Sequence, residues 1–99
     1  MMIPFEELLS WKEAGSFPDD IPSLLQALLL ESAGDWKSAH RIAQNDPSSD
    51  GSWVHAYLHR VEGDMGNASY WYRNAGRSLP EISPVEEWEY IAMALVEKS

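Results

Sequence analysis

An internal repeat with an offset of 29 residues constrains the fold of this chain more than any other feature. Segment 27–35 (ALLLESAGD) aligns with segment 56–64 (AYLHRVEGD), and Ala39 aligns with Ala68. Each copy reads as a helix, a Gly-Asp turn and a second helix. One helical hairpin cannot bury its own apolar stripe, whereas two stacked hairpins share a core. The repeat therefore predicts two stacked hairpins, at about 21–46 and 52–76.

The boundary signals and the spacing of apolar residues predict an all-α fold with about six helices. At 99 residues, the chain has the length of a single domain, which we place at 1–99. The last helix has the clearest start, because Ser83 and Glu86 form a capping box around Pro84. A flanking helix at each end is expected to cover the hairpins. The predicted helices lie at about 5–14, from 21 to a stop at Gly34, and at 36–44, 52–62, 66–75 and 84 onward.

The pair of hairpins resembles the tetratricopeptide repeat over about 24–80, and the second copy carries the matching residues. The matching positions are the small residue of the first helix, the tight turn, the small and aromatic positions of the second helix, and a closing proline: Ala56, Gly63, Asp64, Ala68, Tyr72, Ala75 and Pro80. The first copy departs from this pattern, since Ala43 and Asp46 stand where the second copy has Tyr72 and Ala75. The resemblance implies a fragment of a helical solenoid.

Residues 53–76 also resemble a family of small uncharacterised proteins. They read WVHAYLHRVEGDMGNASYWYRNAG and match the signature HRxEGDxxNAxYWYRxAG. This likeness implies a shared fold and assigns no mechanism.

Composition removes several classes of function. The chain has no Cys, which excludes disulfides, thiolate zinc sites and Cys nucleophiles. Its formal net charge is −9, which opposes binding to a nucleic-acid backbone. The start MMIPFEELL lacks a basic and apolar leader, and no apolar run approaches a membrane span. We therefore expect a cytoplasmic protein with no nucleic-acid or membrane partner.

A group of three polar residues in the second hairpin is the main candidate for chemistry. His55, His59 and Glu62 are spaced i, i+4 and i+7, which places them on one side of a helix, and His40 is positioned to approach from the preceding helix. Two imidazoles and a carboxylate can chelate a divalent metal or transfer protons. The favoured alternative is that both histidines are bonded within a helix interface, so no metal and no cofactor are predicted.

Positive charge concentrates around these histidines. Segment 36–77 holds five Lys or Arg and four Asp or Glu, whereas the rest of the chain holds two and twelve. One interpretation is that the Arg residues hold a small anion. The other is that they form ion pairs within the chain, in which Arg60 and Arg73 pair with Glu62, Asp64 or the acidic last helix. Tyr70 either faces a partner or packs on the last helix.

These observations together predict a non-enzymatic module that binds a protein partner, with a homodimer as a further expectation. The surface expected to make the contact lies on the second hairpin: His55, His59, Arg60, Glu62, Asn67, Tyr70 and Arg73. The alternative is an enzyme or a small-anion or metal-binding protein that uses His55, His59 and Glu62. No nucleophile motif such as Gly-x-Ser-x-Gly occurs, so catalysis is not the favoured interpretation.

Overall fold

Residues 3–98, the part described by the computed structural model, form six α-helices and no β-strand. The predicted all-α, six-helix fold is thus confirmed for this part, while Met1, Met2 and Ser99 of the predicted 1–99 domain lie outside it. No helix between residues 3 and 98 is long and apolar enough to cross a membrane. The helices are Phe5–Ala14 (α1), Ser23–Ser32 (α2), Trp36–Gln44 (α3), Ser49–Glu62 (α4), Met65–Asn74 (α5) and Pro84–Lys98 (α6).

The Gly-Asp turns of the two repeat copies have the same geometry. Gly34 and Gly63 have φ angles of 95° and 89°, a region that residues with a Cβ adopt only at a cost. The N–H groups of Asp35 and Asp64 then donate to the carbonyl five residues earlier, at 2.8 and 2.9 Å. Each Asp side chain caps the next helix by accepting from the N–H three residues further on. The two copies of the sequence repeat therefore have the same backbone geometry at the turn.

Helix α4 lies at the centre of the molecule, where it contacts α2, α3, α5 and α6. Nine consecutive residues, 51–59, are buried in it. Helices α1 and α6 contact each other and both pack on α2, and the Nε1–H of Trp88 ties α6 to α2 by donating to the Leu28 carbonyl at 2.9 Å. Matching positions of the two repeat copies are buried in this core: Ala27 and Ala56, Leu29 and Leu58, Ala39 and Ala68.

Helix α4 begins three residues earlier than the sequence predicts, at Ser49. The polar stretch 45–51 reads as a turn, but part of it is a helix cap. The Ser48 Oγ accepts from the Gly51 N–H at 3.0 Å, and Asp46 Oδ1 accepts from the Ser48 N–H and Oγ at 2.9 and 2.6 Å. The same residue types favour turns and caps, so composition alone does not separate them.

Helix α2 begins at Ser23 rather than at the predicted position 21, because Pro22 occupies the N-cap position with an extended ψ of 142°. A residue before proline is pushed out of the helical region, which excludes Ile21 from the helix. The carbonyl of Ile21 accepts instead from the Gln26 side-chain amide at 2.8 Å.

Candidate functional site

The three histidines of the chain meet between α3 and α4. One ring nitrogen of each lies within 4.8 Å of those of the other two, and the Nε2 atoms of His40 and His55 are 3.0 Å apart. His55 and His59 are one turn apart on α4, so their rings stack with centroids 5.0 Å apart. His40 approaches from α3, as the sequence analysis anticipated. We refer to His40, His55 and His59 as the histidine cluster.

Two tryptophans enclose the histidine cluster. Trp36 stacks on His40 with ring centroids 4.8 Å apart, and Trp71 stacks on His55 at 4.0 Å. The Trp36 ring is fixed in position because its Nε1–H donates to the Leu58 carbonyl at 2.7 Å. Sequence reasoning assigned Trp71 to the core and did not use Trp36. The signal for Trp36 was its i, i+4 spacing with His40 on α3.

Burial changes the role that the histidines can play in recognition. His55 is 5% exposed and His59 is 8% exposed, whereas His40 is half-buried. This corrects the expectation that the imidazoles of α4 point outward, since a partner cannot touch them without displacing their neighbours. The cause is the central position of α4, which packs against α2, α3, α5 and α6.

The environment of His55 and His40 favours the uncharged imidazole. Burial lowers the pKa of His55 to about 4, with further lowering from the positive charge that His40 and His59 acquire on protonation. Burial and then His59 also lower the pKa of His40, and Glu62 partly opposes this effect. Both side chains are therefore neutral near pH 7, with one ring nitrogen donating and the other accepting.

Glu62 orients the third histidine. Its Oε1 atom lies 2.7 Å from Nδ1 of His59, and the carboxylate is more exposed than the ring. A carboxylate accepts, so in the neutral ring the proton sits on Nδ1 and the lone pair on Nε2. The structure thus brings Glu62 to His59, as the i, i+3 spacing implies.

Arg60 is held in an ion pair within the chain. Its guanidinium donates to Glu87 Oε1 of α6 at 2.7 Å and to the Ile82 carbonyl. The Tyr72 hydroxyl lies 2.7 and 2.6 Å from the two carboxylate oxygens of Glu87 and donates its one proton to them. Of the two expectations for Arg60, pairing with the acidic last helix is the one observed. Burial and the neighbouring carboxylate raise the pKa of Tyr72, which keeps it a donor.

Sequence reasoning missed Glu87, which is only 2% exposed, and treated it as one of several acidic residues at the start of α6. The signal was its spacing. Glu87 stands one turn before the buried Ile91 and beside Trp88, so it shares their core-facing side. A buried carboxylate requires partners, and Arg60 and Tyr72 supply them.

The remaining predicted residues lie on the outer side of α5 and do not form one continuous surface with the histidine cluster. The Asn67 side-chain amide donates to Asp64 Oδ2 at 2.7 Å, which supports the cap of α5. Tyr70 is 56% exposed and meets the Trp71 ring edge-on at 5.1 Å. Arg73 is exposed. The predicted seven-residue surface is therefore divided among a buried cluster, an internal ion pair and an exposed strip.

A groove of about 700 Å³ lies where the end of α5 and the connection 75–83 meet α6. The Arg77 guanidinium covers the Trp53 ring at 3.3 Å, and Tyr90 meets the edge of that ring at 5.8 Å. We call this feature the α6 groove, and its lining residues are Trp53, Tyr72, Gly76, Arg77, Ser78, Leu79, Pro80, Glu81, Ile82, Glu87 and Tyr90.

Exposed apolar side chains are concentrated in segment 79–93, and three of them, Leu79, Ile82 and Tyr90, line the α6 groove. Within residues 3–98, five of the seven exposed large apolar side chains fall between positions 79 and 93: Leu79, Ile82, Val85, Tyr90 and Met93. The i, i+3 spacing of Val85 with Trp88 predicts a buried Val85, which is wrong, since Val85 is 65% exposed in the first turn of α6. Tyr90 and Met93 are also exposed on α6.

Comparison of the chain with protein-family models, with curated proteins and with solved structures found no match. The two resemblances described above therefore remain expectations from the sequence. What the fold and the sites define is an all-helical, six-helix protein with a buried histidine cluster and a separate apolar groove.

Proposed function

We propose that this chain is a non-enzymatic protein-interaction module that binds a segment of a partner protein in the α6 groove. The observation that carries the proposal is that three exposed apolar side chains, Leu79, Ile82 and Tyr90, line this groove, while Val85 and Met93 are exposed in the same segment. Apolar patches with a polar rim are typical of interaction surfaces on folded domains. The second hairpin supplies the floor through Trp53 of α4 and Tyr72 of α5, and Arg77 follows α5 directly.

The rim of the groove indicates the charge of the partner segment. Glu81, Glu86 and Glu89 are exposed around Tyr90 and Val85, and segment 78–99 holds five Glu and one Lys. Arg77 is partly occupied by its contact with the Trp53 ring. A segment with bulky apolar side chains and Lys or Arg complements this surface. A second copy of this chain is a weaker fit, because each copy carries a net charge of −9.

The tetratricopeptide-like interpretation of the hairpins belongs to the same proposal. Its support is the shared geometry of the Gly34 and Gly63 turns and the contacts of α3 with both α2 and α4. Helical repeats of this kind present extended surfaces to peptides. In this chain we assign that role to the α6 groove, since the imidazoles of the second hairpin are buried.

A random-peptide library displayed on phage, selected on the full chain, tests the proposal. We expect enriched peptides to combine Leu, Phe or Trp with Lys or Arg. Tyr90→Ala should weaken their binding about tenfold or more, the loss typical of an aromatic anchor. Tyr70→Ala is the matched control, because both tyrosines are exposed helix residues, at 59% and 56%. It should leave the affinity within about twofold.

Four outcomes contradict the proposal. Failure to enrich any peptide would show that the groove does not bind peptides. Enrichment of acidic peptides would contradict the expected positive charge of the partner segment. If Tyr70→Ala or Arg73→Ala reduces binding and Tyr90→Ala does not, the exposed strip on α5 is the recognition surface instead. Sedimentation equilibrium of the chain alone should give a monomer. If it gives a dimer and Tyr90→Ala dissociates that dimer, a second copy of the chain occupies the groove.

A further inference from the structure

We propose that His40, His55 and His59 form a binding site for a divalent transition metal, with one nitrogen of each imidazole as a ligand. The site is distinct from the α6 groove and shares no lining residue with it. The proposal therefore goes beyond peptide binding and does not depend on it.

The spacing of the ring nitrogens is close to that of a metal site. Two nitrogens bound to one tetrahedral Zn²⁺ at about 2.0–2.1 Å are about 3.3 Å apart. The Nε2 atoms of His40 and His55 are already 3.0 Å apart, and all three ligand nitrogens lie within 4.8 Å. Closing the largest separation requires a movement of about 1.5 Å at most, which small rotations of the rings supply.

The ligand chemistry selects the class of metal. Three imidazoles favour Zn²⁺, Co²⁺, Ni²⁺ or Cu²⁺, whereas Ca²⁺ and Mg²⁺ require oxygen ligands. Imidazole binds a metal in its neutral form, through the lone pair of one ring nitrogen.

Glu62 supplies the outer-shell contact that metal-binding histidines use. Its Oε1 atom is 2.7 Å from His59 Nδ1, an arrangement that fixes the ring orientation and leaves the Nε2 lone pair for a metal. Trp36 and Trp71 stack on His40 and His55, so two of the ligand rings are held in place before a metal arrives. His40 is half-buried, which gives an ion a route from solvent.

A second group of ligands is the main competitor. His59, Glu62 and Asp64 also hold their ligand atoms within 4.8 Å of one another, but both carboxylates are exposed. Exposed carboxylates near a histidine bind metals weakly and are common. His40 belongs only to the histidine cluster and Asp64 only to the competing group, so single substitutions separate the two.

Calorimetric titration of the tag-free full chain with Zn²⁺, and visible spectroscopy with Co²⁺, test the proposal. We expect one bound ion per chain and the intense visible absorption of tetrahedral Co²⁺ with nitrogen ligands. His40→Ala should reduce the affinity by more than about 100-fold, since losing a ligand costs more than losing its outer-shell partner. Asp64→Asn keeps the cap of α5, because Asn is an equally good capping residue, and should leave the affinity within about threefold.

The circular dichroism spectrum of metal-free His40→Ala must match that of the metal-free wild type. Glu62→Gln provides a second variant, at a residue that is not itself a proposed ligand. Glu62→Gln should weaken Zn²⁺ about 10- to 100-fold while the Co²⁺ spectrum keeps its shape. Absence of binding to the wild type overturns the proposal. So does binding that survives His40→Ala and is lost in Asp64→Asn, because that result assigns the metal to the exposed carboxylates.

Discussion

Removal of one buried hydroxyl tests how strongly the hydrogen bond between Tyr72 of α5 and Glu87 of α6 stabilises the fold. In Tyr72→Phe the ring remains, and only the oxygen that lies 2.7 and 2.6 Å from the Glu87 carboxylate is lost. Glu87 then keeps its contact with Arg60 but loses the donor on its α5 side. Water does not replace that donor readily, because Tyr72 and Glu87 are each 2% exposed.

The expected cost follows from the type of hydrogen bond. A bond to a charged group contributes about 1.5–3 kcal/mol, and a buried acceptor deprived of a partner is at the upper part of the range. We therefore expect Tyr72→Phe to lower the free energy of unfolding by about 2 kcal/mol. For a domain of this size each kcal/mol corresponds to roughly 4–8 °C, so Tm should fall by about 8–16 °C.

Tyr57→Phe is the matched control for this experiment. The Tyr57 hydroxyl also donates to a carboxylate, but its bond to Glu31 Oε1 is longer, at 3.1 Å, and Glu31 is half-buried, so water can replace the lost donor. We expect a cost of about 0.5–1 kcal/mol. Urea unfolding followed by far-ultraviolet circular dichroism measures both. If Tyr72→Phe costs no more than Tyr57→Phe, the contact with Glu87 does not stabilise the fold and the reasoning fails.

Two further predictions concern a glycine and the pH dependence. Gly51→Ala should destabilise the protein by about 1–3 kcal/mol, because the added Cβ would collide with the Asp46 carbonyl oxygen. Gly66→Ala should stabilise the protein by about 0.5–1 kcal/mol, because the nearest atom to its added Cβ is 3.8 Å away. Equal shifts of the two variants in the urea midpoint would contradict this prediction. With a chelator present, the free energy of unfolding should be highest above about pH 6.5 and fall by about 3 kcal/mol toward pH 4. In the unfolded chain His55 binds a proton below its ordinary pKa of about 6.5, whereas in the folded protein it stays neutral down to its pKa of about 4. Unfolding midpoints that stay flat across this range would refute the burial of His55.

Local signals in the sequence identified most of the helices because the signals and the structure depend on the same short-range contacts. The capping box around Pro84 is observed: Glu86 Oε1 accepts from the Ser83 N–H at 3.1 Å, and Ser83 Oγ accepts from the Glu86 N–H at 3.2 Å. The Gly-Asp turns are observed for the same reason. The predicted start of α4 was wrong because a polar stretch such as 45–51 forms either a turn or a cap, and here Ser48 caps the helix with support from Asp46.

The candidate site was predicted only as far as spacing along one helix determines it. The i, i+4 spacing of His55 and His59 brought their rings together, but it did not reveal which side of α4 is covered. That depends on α3 and α5, which pack over the histidines, and on Trp36 and Trp71, which enclose them. Contacts between helices decide burial, and a helix buried on every side gives no polar face to read.

The central position of α4 keeps the two proposed activities apart. Residues two positions apart on a helix point to opposite sides, so Trp53 lines the α6 groove while His55 joins the histidine cluster. A peptide in the groove therefore touches no metal ligand, and a metal in the cluster touches no groove residue. His40→Ala should change metal affinity alone and Tyr90→Ala peptide affinity alone. If either variant alters both, α4 couples the sites, since it is the helix that contributes a side chain to each.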